Sequence, residues 1–143
     1  MAPVKRMGNF LAGALLLLPL LIGPAGAVVS TPTAPTGVTV KDLVANGQLK
    51  ISWTLNTETD ILFYGIDCGT VPNFEPVPGP AFSTSVSSST TFFIHSGLIN
   101  GNTYYYHVHA CNTMFMISPA SVERKGVPTA PPLPAPPQVL GIT

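Results

Sequence analysis

Residues 103–112 read Thr-Tyr-Tyr-Tyr-His-Val-His-Ala-Cys-Asn, and the alternation within them constrains the fold more tightly than any other part of the chain. Successive side chains of an extended strand point to opposite faces. Tyr104, Tyr106, Val108 and Ala110 therefore share one face, and Tyr105, His107 and His109 share the other. The same period runs through Leu49, Ile51 and Trp53, interleaved with Lys50, Ser52 and Thr54. Strands with one apolar face must bury it against a second layer.

Five further strands are expected. Val38, Val40 and Leu43 form the first, closed by the turn residues Asn46-Gly47. Residues 61–68 form another, with Leu62, Tyr64 and Ile66 on one face; residues 83–89 offer a short edge strand and 90–94 a β-branched, aromatic one. A last strand is placed at about residues 120–127 from its spacing. Seven short strands separated by turns predict an all-β fold, a seven-stranded antiparallel β-sandwich. Sixteen prolines, thirteen glycines and only 8% charged residues fit that class and disfavour a helical bundle.

The ends have a different character. Lys5 and Arg6 precede an apolar run at residues 10–22, and Ala25-Gly26-Ala27 has the small-x-small form that signal peptidase reads. Residues 1–27 are thus expected to be a signal peptide, the apolar run being shorter than the ~20 residues of a membrane span. Without Lys5 and Arg6, four basic residues face six acidic ones, which gives no footprint for nucleic acid or an anionic membrane. Residues 28–36 read as an extended lead-in, 37–128 as the domain, and 129–143 as a Pro-rich linker. The linker ends in Pro-Pro-Gln-Val-Leu-Gly-Ile-Thr, an echo of residues 32–40 that is either the start of a second, tandem repeat or an accidental Pro-rich tail.

Four landmarks together resemble the fibronectin type III family over roughly residues 32–128. They are the Pro-rich start before Val38 and Val40, the Leu-Lys-Ile-Ser-Trp-Thr strand around Trp53, Tyr64 on the next strand, and Leu98-Ile-Asn-Gly-Asn-Thr-Tyr104 followed by Tyr106, Val108, Ala110 and Asn112. The resemblance implies an immunoglobulin-like sandwich whose structural core contains Trp53, Tyr64, Leu98, Tyr104, Tyr106 and Val108. It also implies a tyrosine corner, the Tyr104 hydroxyl reaching back to the loop backbone. A true immunoglobulin domain has the order Cys, Trp, Cys, whereas this chain has Trp53, Cys68, Cys111. In the family register Cys68 and Cys111 lie near opposite poles of one sheet, too far apart to bridge.

Few residues suggest chemistry. His107 and His109 project from one face at a spacing that suits a metal, but two ligands do not close a site, and His95 belongs to the other sheet; they are expected to be surface histidines. The serines of residues 83–89 and Ser96-Gly97 make no nucleophile elbow, and Asp60 and Asp67 have no acid/base setting. No catalytic residue, metal site or cofactor is expected.

Two loops stand out. Met114, Phe115, Met116 and Ile117 place large apolar side chains in succession, which either forms a contact surface or tucks Phe115 or Met116 back over the sandwich end. Residues 69–80 hold four prolines and two glycines and either protect a sheet edge or face a ligand. The leading functional expectation is an exported, non-enzymatic, monomeric module, secreted or at the cell surface, that serves as a spacer or binds an extracellular protein or polysaccharide. Two alternatives are an accessory domain of a secreted polymer-degrading enzyme and a small exported metal- or heme-binding protein. The last requires Cys68, Cys111, His107 and His109 to converge.

Overall fold

The computed structural model describes residues 30–76 and 84–136. The expected leader at 1–27 and the tail at 137–143, with most of its echo of the chain's beginning, lie outside the described residues. Seven strands follow one another: β1 (Thr36–Asp42), β2 (Leu49–Thr54), β3 (Ile61–Gly69), β4 (Thr84–Ser87), β5 (Phe92–His95), β6 (Tyr104–Asn112) and β7 (Arg124–Gly126). One sheet has the order β1-β2-β5 and the other β4-β3-β6-β7, and every pairing is antiparallel. The all-β sandwich expected from the alternation is the fold observed.

The core lies between the sheets because the alternating faces meet there. Val38, Leu49, Ile51 and Trp53 come from one sheet, and Tyr64, Ile66, Tyr104, Tyr106, Val108 and Ala110 from the other. Leu98 packs against this cluster half-buried. The Trp53 and Tyr64 rings lie 5.4 Å apart, tilted by 54°, and aromatic groups of this size each bury roughly 150–250 Å². The Tyr104 hydroxyl accepts the Ile99 N–H at 3.0 Å, which ties the loop before β6 to its own strand.

Two local irregularities set the register. β1 gains a residue against β2 between Thr36 and Thr39, where Gly37 adopts φ +64° and a Cβ would lie 2.5 Å from the Thr54 Oγ1. Only glycine satisfies both conditions. In β3 the extra residue is Leu62, because Ile61 pairs with Asn112 while Phe63 pairs with Cys111. Leu62 is consequently exposed, and Ile61 instead packs against the core, correcting the expectation that Leu62 shares the inward face of Tyr64 and Ile66.

Other expectations need correction. The lead-in packs over its described part: Pro32 and Pro35 are buried, and the Thr33 N–H donates to the Glu58 carboxylate at 2.7 Å. β7 has three residues rather than about eight, since residues 118–123 run alongside β6 with serine hydroxyls in place of ladder acceptors. Over its described part the Pro-rich loop lies on the outer face of the second sheet, not along an edge. Phe74 stacks on His107 with ring centres 5.0 Å apart, and the Asn73 N–H donates to Glu123 at 2.9 Å.

Candidate contact surface and the strap behind it

The apolar loop is organised by the residue before it. Asn112 is buried, with its side-chain amide donating to the Ser30 carbonyl and to Asp60 Oδ2, each at 3.2 Å. Its Oδ1 accepts the N–H groups of Met114 at 3.1 Å and Met116 at 2.9 Å. The Thr113 N–H reaches the Asp60 carbonyl, the Phe115 N–H the Asn112 carbonyl, and Cys111 pairs with Ile117 in an isolated bridge. Asn and Asp side chains commonly nucleate such turns by bonding backbone two residues on.

Fixing the backbone this way leaves the side chains outside. Met114 is 62% and Phe115 71% exposed, while Met116 and Ile117 are half-buried. Phe115 holds φ +58°, a left-handed conformation that costs an L-residue with a bulky side chain about 1–2 kcal/mol. Of the two readings of this loop, Phe115 does not fold back, and Met116 partly does. Asp60, also exposed, belongs to the same pole through its contacts with Asn112 and Thr113.

Behind the loop runs a strap, residues 118–123, held to β6 by two serines used identically. The Ser118 N–H donates to Ala110 O and its Oγ accepts the Ala110 N–H; Ser121 does the same with Val108, and all four distances are 2.9 Å. Three strap residues thereby span two strand residues. His109 and His107 close over it. Their Nδ1 atoms lie 3.0 Å from Ser118 O and 2.9 Å from Ser121 O, and their Nε2 atoms lie 3.4 Å from Asp67 and 3.5 Å from Glu123.

These histidines are therefore not surface groups. His109 is buried and His107 half-buried, and Asp67 has an imidazole beside it that the sequence did not disclose. The dyad nevertheless lacks what hydrolysis requires. The second nitrogen of His109 meets a backbone carbonyl, and the Ser118 hydroxyl is spent on Ala110 and Pro119.

The four candidate metal ligands separate. Cys68 pairs with Tyr106 and Cys111 with Phe63, five residues apart along β3, or about 17 Å at the usual rise per residue. The two cysteines are not bridged to each other, and they face opposite sides of the sheet, Cys68 inward with Tyr64 and Ile66, Cys111 outward with His109. Among the described residues no three His, Cys, Asp or Glu side chains are placed to hold a metal ion.

Cys68 lines a cavity of about 70 Å³ with Ile66, Thr84, Phe93, His95 and Tyr106. His95 Nδ1 is 3.0 Å from the Tyr106 hydroxyl, which in turn bonds Cys68. Burial raises the Cys68 thiol and lowers His95, and it pushes Tyr106 far above the ordinary phenol range. All three groups are thus neutral at neutral pH, and the space suits a couple of waters rather than an organic ligand.

No protein-family model matches the chain, and no curated protein matches it. Solved structures do. The FN1–FN3 domains of chicken CNTN1 superpose with a TM-score of 0.57 at 24% identity, over 68% of this chain and 33% of that one. The spore cortex lytic enzyme SleM of Clostridium perfringens gives 0.54 and 15%, over 69% and 29%. The fn3 domain of the human collagen alpha-1(XX) chain gives 0.59 and 21%, over 77% and 97%. The chain thus spans a third or less of the first two structures and nearly all of the third.

Proposed function

We propose that this chain, whose sandwich is that of fibronectin type III domains, is an exported, non-catalytic module that binds another extracellular protein through residues 113–117. The observation that carries the reading is the pairing of exposed side chains with a fixed backbone. Met114 and Phe115 project apolar surface into solvent, although the hydrogen bonds of Asn112 and Asp60 have already fixed the chain beneath them. Such preorganisation removes part of the ordering cost that a flexible loop bears on association, and Met with an aromatic ring offers an adaptable anchor. The leader pattern at residues 1–27 supports export.

A photoreactive phenylalanine analogue at position 115 tests this directly, with one at the equally exposed Val122 as control. On the native cell surface or in its medium, the reading expects a discrete adduct from position 115 that excess unlabelled domain suppresses. Equal labelling from both positions would count against it. A second reading, an accessory domain of a polymer-degrading enzyme, draws support from the fold likeness to part of SleM. It expects retention on insoluble polysaccharide, and there the 115 adduct would contain no protein.

A further inference from the structure

We infer that protonated His109, facing the Asp67 carboxyl, latches the strap onto β6, and that loss of the His109 proton releases the strap while the sandwich stays folded. A carbonyl oxygen only accepts, so the 3.0 Å contact with Ser118 O requires a hydrogen on His109 Nδ1. Nε2 then faces the Asp67 carboxyl at 3.4 Å in a buried setting. Both contacts are attractive only while Nε2 also carries its hydrogen, which sets a charged ring at ion-pair distance from the Asp67 carboxyl. Once that proton goes to solvent, a nitrogen lone pair opposes a carboxylate away from water. Turning the ring to relieve this conflict gives up the Ser118 carbonyl.

The groups around His109 agree with this assignment. Asp67 faces it from β3, with Gly65 directly across the strand pair and Ser85 of β4 next in that row. On its own strand the neighbours along the face are His107 and Cys111, the thiol raised by burial and so neutral. From the strap come Ser118 O and, one histidine further along, Glu123 against His107; from the Pro-rich loop comes Phe74 on His107. The Arg124 guanidinium turns away, to Val38 O.

Burial alone would lower the His109 pKa, but the Asp67 hydrogen bond, the Ser118 carbonyl and the Asp67 charge outweigh it, and the value is raised. A raised folded value means the latch is fully closed below the ordinary 6.5 and opens as pH climbs through the raised one. Ile117, the last residue of the apolar loop, adjoins the strap, so opening would also loosen that loop. This consequence rests on the contact reading above, whereas the latch does not.

Nuclear magnetic resonance on the whole domain from about pH 5 to about pH 9 tests it without a partner. The imidazole shifts of His109 are followed together with amide exchange at Ser118, Ser121 and Trp53. The latch predicts a His109 midpoint above 6.5. Above that midpoint, exchange at Ser118 should accelerate about tenfold beyond ordinary base catalysis, with Trp53 unaffected. Asp67→Asn should lower the midpoint, and His109→Gln should leave Ser118 exchanging fast at every pH. A midpoint at or below 6.5, a Ser118 rate indifferent to it, or Ser118 and Trp53 accelerating together would each overturn the latch. A normal latch in a domain that binds nothing would defeat only the contact reading.

Discussion

Asn112 and Met116 are bonded twice, the Asn112 N–H donating to the Met116 carbonyl at 3.1 Å and the Met116 N–H donating to Asn112 Oδ1 at 2.9 Å. This closed pair is the frame on which Met114 and Phe115 are displayed. Asn112→Ala removes the acceptor for two N–H groups and the donor to Ser30 and Asp60, in a site water does not fully reach. The expected loss is about 1–3 kcal/mol in urea denaturation, with amide protection disappearing first at Met114 and Met116.

Phe115→Gly should separate stability from binding. Glycine accepts the left-handed backbone without strain, and the ring it removes is largely in solvent. Its greater freedom when unfolded offsets part of the gain, so stability should be unchanged or higher by up to about 1 kcal/mol. Thermal melting measures the first effect. Adhesion to the partner should fall in the same protein.

The Tyr104 hydroxyl can be removed with little change of shape. Tyr104→Phe keeps the ring in the core but leaves the Ile99 N–H without its acceptor. Because that loop is partly open to water, the cost should be about 1 kcal/mol, read as a lower denaturation midpoint with an unchanged slope.

Acid should detach the lead-in before it unfolds the sandwich. Glu58 is held down at about 2 chiefly by the Thr33 N–H, against an ordinary value of 4.5. A depressed folded value means the contribution is complete above 4.5 and fades as pH falls toward 2. Protection of the Thr33 amide, corrected for the ordinary slowing of base-catalysed exchange in acid, should therefore drop as pH falls between those limits, and Glu58→Gln should abolish the dependence. The contact is exposed, so its effect on global stability is small.

The fold was legible because it is written in period two. Trp53, Tyr104 and Val108 each sit in a run whose alternation leaves one face to bury, and nothing in those runs competes. Leu62 broke the pattern because a bulge is a property of two strands in register, and one strand's sequence does not contain it. The last strand was overextended for a related reason: Ser118 and Ser121 replace ladder bonds with side-chain oxygens, and their three-residue spacing carries no apolar signal. His109 resembled a surface residue because the strap it packs against lies nine positions on in sequence. The loop itself was visible as an apolar run, but its rigidity was not. An Asn directly before a short loop was the available signal for that rigidity.

Met114 and Phe115 are proposed above as the binding surface of a non-catalytic module. The most direct test compares the intact domain with the Met114→Ser, Phe115→Ser double variant for adhesion to the native cell surface, both proteins first matched by melting temperature. Equal melting is expected, with adhesion of the variant reduced at least about tenfold, as for loss of a central apolar anchor. Adhesion of the variant equal to that of the intact domain, at equal melting, would contradict it.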